Sequence, residues 1–112
     1  MQYQKTITAI ILCLALPAAA DFQTVSRAYE IALNNFQAPA ALGAAAIFRE
    51  CDECDSHTVR VTANTEYRIN DKSVTLKEFR KSIFTVRNRS VETVIVLHHL
   101  ESDTIERILV TL

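Results

Sequence analysis

The feature that most constrains this chain is the apolar run near its start. Residues 7–16 are apolar at all but two positions; Lys5 precedes the run, and a proline and three alanines follow it. A basic residue, a short apolar segment and small residues before a cut are the three parts of a cleavable signal peptide. The run is too short for a membrane span, which needs about 20 apolar residues. We therefore predict cleavage between Ala20 and Asp21, with export to the periplasm or the extracellular space.

Removal of residues 1–20 leaves residues 21–112, the size of a single small domain. Lys5 is the only charged residue removed, so the formal net charge goes from −1 for the full chain to −2. Nucleic-acid-binding domains normally carry a strong basic excess, so this composition argues against that class. Cleavage also removes Cys13 and leaves Cys51 and Cys54 in an oxidising compartment. We expect no stable membrane anchor after cleavage.

The spacing of apolar residues predicts the secondary structure of the first half of the domain. Over residues 21–35 apolar side chains recur every three or four positions, which is the period of an amphipathic helix. Residues 38–50 contain Pro39 and Gly43 and are predicted as a loop with a short strand near 45–49, with a second helix as the alternative. Alternation predicts two short strands within residues 58–70, with a bend at 64–65 and a turn at Asn70 and Asp71.

The most specific local signal is the stretch Thr-Leu-Lys-Glu that begins at Thr75. It matches a capping box, in which the Thr75 hydroxyl and the Glu78 carboxylate each accept from the other residue's backbone N–H. A helix over residues 76–87 follows from it. Residues 93–99 predict a central strand, and residues 105–112 a last strand or a short terminal helix. The whole pattern predicts an α+β domain: an N-terminal helix, then a small mainly antiparallel sheet with one packed helix.

Cys51 and Cys54 form the one compact motif, and three interpretations are open. A structural disulfide would stabilise the domain by about 2 kcal/mol in the chain-entropy model. A metal site would use Cys51, Cys54 and His57 as ligands for zinc or copper. A redox site would need a stabilised thiolate, and the flanking residues are acidic: Glu50, Asp52, Glu53 and Asp55. The disulfide is preferred because export favours oxidation, and we predict no catalytic residue and no cofactor.

His98 and His99 invite a metal or catalytic interpretation. Neighbouring side chains of a strand point to opposite faces, so the two imidazoles are not expected to bind one ion. We expect one of them to pack inward and the other to face outward.

The predicted helix also carries a basic flank beside its apolar stripe, made of Lys77, Arg80, Lys81 and Arg87. Such a face can contact an anionic surface of lipid headgroups or an envelope protein partner. The preferred interpretation is a solvated flank balanced by nearby carboxylates.

Parts of the sequence resemble two groups of proteins. Residues 65–79, Thr-Glu-Tyr-Arg-Ile-Asn-Asp-Lys-Ser-Val-Thr-Leu-Lys-Glu-Phe, resemble the turn and capped helix of the periplasmic domain of ExbD and TolR biopolymer-transport proteins. Those proteins keep an N-terminal anchor with an acidic residue, which residues 7–16 lack. Residues 48–54, 59–62 and 94–102 are similar to small exported bacterial proteins of unknown function. That second resemblance implies a bacterial envelope setting and no assigned chemistry.

The sequence thus predicts a non-enzymatic periplasmic or secreted domain, residues 21–112, with Cys51 and Cys54 in a structural disulfide. Two alternatives remain: a periplasmic metal-binding protein that uses Cys51, Cys54 and His57, and a thiol–disulfide redox protein.

Overall fold

The computed structural model describes residues 25–112, which form one curled β-sheet and, within that range, a single short α-helix. The strands are β1 (Ser26–Ala32), β2 (Phe36–Gln37), β3 (Ala45–Arg49), β4 (Ser56–Ile69), β5 (Lys72–Val74), β6 (Thr93–His99) and β7 (Thr104–Thr111). Helix α1 spans Leu76–Phe84, and a 3-10 helix, Leu33–Asn35, joins β1 to β2. The predicted cleavage site at Ala20 and Asp21 lies outside the described residues.

The two ends of the sheet are close in sequence, and this forces the sheet to curl. The strand order is β1–β6–β7–β4–β3–β2, with β5 paired to β4 beside this path. Neighbouring strands are antiparallel except β4 and β7, which are parallel. β1 and β2 are therefore the outer strands, yet only a three-residue 3-10 helix, about 6 Å of rise, connects them. The sheet bends until its edges meet at a seam between β1 and β2.

The curl creates an interior that inward-facing side chains fill. Alternate residues of the inner strands are buried, as Val59 and Val61 are on β4 and Val94 and Val96 on β6. Such alternation is what a sheet with one covered face requires. The other core side chains include Ile31, Leu33, Phe48, Ile105, Ile108 and Val110.

Helix α1 covers one end of this interior. Phe79 is fully buried, with its ring centroid 5.5 Å from that of Tyr67 on β4 and 6.4 Å from that of Phe36 on β2. These are the separations at which tilted and edge-to-face aromatic pairs attract each other. Ile83 is buried one turn later. Leu76, at the start of the helix, also packs against the core while partly buried, so the helix is held by one aromatic and two aliphatic side chains.

Residues 21–24 of the predicted N-terminal helix lie outside the described residues; from residue 25 onward the helix is wrong, and with it the α+β fold class, because the described domain is mostly β. Residues Ser26–Ala32 pair with β6 along their whole length, and a 3-10 helix follows. The apolar positions Tyr29, Leu33 and Phe36 have helical spacing, but the buried residues Tyr29, Ile31 and Leu33 alternate as in a strand. Backbone pairing with β6 overrides the local pattern, because that strand would otherwise leave one edge unpaired.

The local predictions further along the chain are confirmed in several places. The Thr75 hydroxyl accepts from the Glu78 N–H at 3.1 Å, and the Thr75 N–H donates to Glu78 Oε1 at 3.1 Å, so the capping box is present. Asn70 and Asp71 form the predicted turn, with φ of 50° and 69°. The short strand at Ala45–Arg49 and the strand Thr93–His99 are present, and the last segment is the strand Thr104–Thr111.

Two predicted boundaries need correction. Helix α1 ends at Phe84 and not at residue 87. Side chains bond the carbonyls near its end: the Thr85 hydroxyl donates to the Ser82 carbonyl at 2.8 Å, and the Arg89 guanidinium donates to the Ile83 carbonyl at 2.7 Å. The two short strands predicted within residues 58–70 are one strand, β4. Its pairing with β7 shifts register between Val61 and Glu66, which is where the bend was predicted.

Candidate functional site

The Cys51–Cys54 disulfide is present and lies in the turn between β3 and β4, residues 50–55, called here the disulfide turn. The Cys54 N–H donates to the Cys51 carbonyl at 3.2 Å. Arg49 Nη1 donates to the carbonyl of Asp52 at 3.0 Å, and Asn35 Nδ2 donates to Asp52 Oδ1 at 2.9 Å. The turn is therefore tied to the 3-10 helix at the seam of the sheet.

The surroundings of the sulfurs do not favour a reactive thiolate. Reactive cysteines sit at helix N-termini or beside positive charge, whereas Cys51 follows strand β3 and Cys54 precedes strand β4. The other residues of the turn carry exposed carboxylates: Glu50, Asp52, Glu53 and Asp55. The turn suits a structural bond better than a nucleophile.

The predicted metal-ligand set is not assembled in this oxidised chain. Each sulfur is bonded to the other, so neither Cys51 nor Cys54 offers a thiolate to a metal. His57 Nε2 lies 3.4 Å from Glu50 Oε2. Over residues 25–112 no group of three or more His, Cys, Asp or Glu side chains is arranged to hold a metal ion. Zinc or copper binding by Cys51, Cys54 and His57 stays a prediction that concerns the reduced chain.

His57 and His98 both pack against the ring of Tyr29, in what we call the histidine cluster: Tyr29, Phe48, His57 and His98. The Tyr29 ring centroid lies 5.1 Å from those of Phe48 and His57 and 6.3 Å from that of His98. Tyr29 and His98 lie on the neighbouring strands β1 and β6, and Phe48 and His57 lie on the neighbouring strands β3 and β4. Strand β7 separates the two pairs in the sheet order, so the curl is what brings them together. Arg27 stacks over the Tyr29 ring at 4.9 Å.

The imidazole of His98 is fixed by a carboxylate. Its side chain is only 13% exposed, and Nε2 lies 2.7 Å from Asp103 Oδ1. Nδ1 is buried without a hydrogen-bond partner among the described residues. A hydrogen on Nδ1 would be stranded there, so Nε2 carries the hydrogen and donates it to Asp103. No Ser, Thr or Cys side chain of the described chain hydrogen-bonds to His57 or His98.

His99 instead contacts Ser102, a residue that the sequence did not single out. His99 Nδ1 lies 2.9 Å from Ser102 Oγ and accepts from the Ser102 N–H at 3.3 Å. The same hydroxyl lies 2.7 Å from Thr104 Oγ1. These bonds shape the β6–β7 turn. A catalytic serine needs a base that a third group orients, and no carboxylate in residues 25–112 bonds to His99.

The basic flank predicted on the helix is exposed, and the structure adds an aromatic to it. Lys77, Arg80 and Lys81 lie on α1, and Arg87 follows it; all four are exposed. Phe84, the last residue of the helix, is 86% exposed. It lies between the stripe positions Ile83 and Val86, so the sequence offered only the weak signal of an aromatic off the apolar stripe.

A cavity of about 450 Å³ opens beside this aromatic. Phe36, Ile83 and Phe84 contribute apolar walls, and two guanidinium groups, those of Arg80 and Arg89, also line it. We call the set Arg80, Lys81, Phe84, Arg87 and Arg89, with this cavity, the α1 end. Arg89 is a basic residue close to the predicted flank, but its hydrogen bonds to the carbonyls of Ile83 and Leu33 could not be predicted, because they depend on the tertiary fold.

A cluster of polar and charged side chains around Glu66 links three strands of the sheet. Arg68 Nε and the Ser73 hydroxyl donate to Glu66 Oε2 at 2.9 and 2.8 Å, and Arg107 Nε donates to Oε1 at 2.8 Å. The hydrogen bond from Arg68, then that from Ser73, lowers the pKa of Glu66 from its ordinary 4.5 to about 2. Burial raises the pKa of the neighbouring Tyr67. The cluster joins β4, β5 and β7 and has a structural role.

The described residues contain no helix long and apolar enough to cross a membrane. The turn at Asn70 and Asp71 and the capped helix after it are in place, but these local features alone do not show a family. Comparison with protein-family models, curated proteins and solved structures finds no match for this chain.

Proposed function

We propose that this chain is a small exported domain that acts by binding and not by catalysis, with the Cys51–Cys54 disulfide as its structural staple. The observation that carries the proposal is the disulfide itself, in a strand-to-strand turn rich in carboxylates. Disulfides persist in oxidising compartments and are rare in reducing ones. The apolar run of residues 7–16, with a cut after Ala20, supplies the route of export.

Two further features support binding over catalysis. The imidazoles of His57 and His98 pack against Tyr29 and face the carboxylates of Glu50 and Asp103, and within residues 25–112 no Ser, Thr or Cys side chain hydrogen-bonds to them. The α1 end, by contrast, offers solvent an aromatic ring and several cations. An exposed aromatic ringed by charge is typical of a contact surface.

The test is the intact mass of the protein recovered from cells. The full chain is produced in a Gram-negative bacterium, the periplasm is separated from cytoplasm and membranes, and free thiols are alkylated before mass spectrometry. We expect a periplasmic chain that begins at Asp21, lacks both thiol hydrogens and takes up no alkyl group. Ala20→Arg serves as the control, because a large charged residue before the cut blocks processing and should retain residues 1–20. A cytoplasmic chain that retains residues 1–20 and takes up three alkyl groups, at Cys13, Cys51 and Cys54, would overturn the proposal.

The same preparation separates the alternatives. A protein that carries one zinc or copper ion with free thiols, and loses it in the Cys51→Ser and His57→Ala variants, would establish the metal-binding function instead. A pair that cycles between dithiol and disulfide while reducing a small disulfide substrate would establish the redox function. We expect neither result.

A further inference from the structure

We propose that the α1 end docks on an anionic phospholipid bilayer, with Phe84 entering the headgroup region and the surrounding cations contacting lipid phosphates. The inference deepens the proposed function and rests on it, since an exported binding domain meets membrane surfaces. It names the surface that the domain binds and the residues that bind it.

The first support is the position of Phe84. At 86% exposed it is the most exposed large apolar side chain of the described residues. Arg80 and Lys81 precede it by four and three residues, so on a helix they lie on the same side as its ring. Single exposed apolar residues are ordinary, but an aromatic flanked by cations at a helix end has the composition of an interfacial anchor.

The second support is that the charges on this face are not neutralised within the protein. No ion pair in the described chain involves Arg80, Lys81 or Arg87. The one carboxylate of α1, that of Glu78, is engaged at the other end of the helix in the capping box with Thr75. The face therefore keeps a net positive charge that an anionic surface can match.

The third support is the way in which two arginines are held at the cavity. Arg80 Nη1 donates to the Pro39 carbonyl at 2.9 Å, and Arg89 Nη1 donates to the Ile83 carbonyl at 2.7 Å. A guanidinium has five N–H donors, so each side chain is positioned by the backbone and retains donors for an anion.

The chemistry of the cavity favours a lipid over an acidic protein. Its walls combine apolar side chains, those of Phe36, Ile83 and Phe84, with the guanidinium groups of Arg80 and Arg89. An anionic phospholipid carries a phosphate and an apolar chain in one molecule. An acidic protein surface would match the cations but would leave the ring of Phe84 and the apolar walls without a complement.

The experiment measures partition of the purified disulfide-bonded chain, residues 21–112, onto vesicles by co-sedimentation. One set contains phosphatidylglycerol mixed with phosphatidylcholine, the other phosphatidylcholine alone. We expect binding to the anionic vesicles only, weakened by salt. Each cation near an anionic surface contributes about a fivefold factor, so Lys81→Gln with Arg87→Gln should reduce partition about 25-fold. Phe84→Ala should reduce it about tenfold.

Two matched controls keep the outcome interpretable. Arg60→Gln removes an exposed cation from β4, and Leu100→Ala removes a 41% exposed apolar side chain from the β6–β7 turn. Both lie away from the α1 end and should leave partition unchanged. Circular dichroism of every variant verifies that it is folded.

Three results would overturn the inference: equal binding to neutral vesicles, binding that the α1-end variants do not change, or no vesicle binding together with retention on immobilised polyglutamate. The last result would assign the face to an acidic protein. These outcomes are independent of the mass measurement. If the chain is periplasmic and oxidised but does not bind vesicles, only the proposed lipid-binding surface is refuted. If the chain is cytoplasmic and reduced, the proposed function is refuted.

Discussion

Replacement of both cysteines by serine, Cys51→Ser with Cys54→Ser, measures what the disulfide contributes to the domain. The bond joins residues only three positions apart. The chain-entropy model then gives about 2 kcal/mol, which is near the lower end of the range for native disulfides. A domain of this size is stable by roughly 5 kcal/mol or somewhat more. The loss is therefore a large share of the total, although it should not unfold the protein.

The contacts of the disulfide turn set the upper limit of the effect. Asp52 holds the turn to the rest of the domain through Asn35 and Arg49, at 2.9 and 3.0 Å. These bonds are exposed, so each contributes about 1 kcal/mol or less. If the turn frays without the disulfide, part of this contribution is lost as well. We expect a total loss of about 2 to 3 kcal/mol, which corresponds to a decrease in Tm of about 10 °C or more.

The assay is urea unfolding followed by circular dichroism on three samples: the oxidised chain, the same chain with reductant, and the double serine variant. The last two should agree, with a lower midpoint and an unchanged slope. Asn35→Ala, made with and without the disulfide, forms a double-mutant cycle that isolates the coupling between turn and seam. A decrease in the free energy of unfolding below about 0.5 kcal/mol would refute the proposal that the disulfide stabilises the domain. A decrease above about 4 kcal/mol would refute the argument that a disulfide closing so short a loop contributes only about 2 kcal/mol.

Three smaller predictions test other parts of the fold. Thr75→Ala should cost about 1 kcal/mol in urea unfolding, because it removes the hydroxyl that accepts from the Glu78 N–H, and Thr75→Ser should restore most of it. Tyr67→Phe should raise stability by about 1 kcal/mol, since its hydroxyl is buried without a partner in the described chain, and a fall would contradict this. The pKa of Glu66 in the folded state is lowered to about 2, so its carboxylate stabilises the fold above pH 4.5 and loses this effect as the pH falls toward 2. The Glu66→Gln variant should therefore show a smaller decrease in the free energy of unfolding between pH 4.5 and 2, in a profile measured from pH 2 to 6.

The features that could be predicted from the sequence are those with a short-range cause. The capping box of α1 needs only Thr75 and Glu78, three positions apart, and it forms as predicted. The turn at Asn70 and Asp71 needs two residues that tolerate positive φ, and both adopt it. Strand β6 follows from a run of β-branched residues, which favour extended backbone. Each of these patterns identifies an element without knowledge of its neighbours.

The N-terminal segment shows why the rest could not be predicted. Tyr29, Leu33 and Phe36 have helical spacing, while Tyr29, Ile31 and Leu33 have strand spacing, so both patterns exist in the same residues. Local propensity is a weak determinant where the two compete. Antiparallel pairing with β6, more than sixty residues later in the chain, decides between them. Pairing between strands so far apart in the chain cannot be predicted from the sequence of either strand alone.

Only part of the α1 end could be predicted from the sequence, for the same reason. Lys81 lies on the helix and its exposure follows from the apolar stripe opposite it, whereas Arg87 lies in the exposed segment after the helix. The roles of Arg89 and Phe36 depend on contacts across the seam, where Arg89 bonds the carbonyls of Ile83 and Leu33 and Phe36 lines the cavity. A cavity is a property of several elements together, and no single window of sequence contains it.

The seam joins the two parts of the molecule to which we assign functions. The 3-10 helix Leu33–Asn35 contacts the disulfide turn through the side chain of Asn35 and receives Arg89 at the carbonyl of Leu33, 3.5 Å from Nη2. The next residue, Phe36, packs edge-on against Phe79 of α1 and forms a wall of the cavity. The disulfide therefore stabilises a segment that also shapes the α1 end. β1 and β2 are not paired with each other, and the 3-10 helix between them is held by two backbone hydrogen bonds, from the Leu33 N–H to the Glu92 carbonyl at 2.8 Å and from the Asn34 N–H to the Arg89 carbonyl at 3.2 Å. The side-chain contacts of the disulfide turn add to these few bonds at a place where the sheet has no strand pairing.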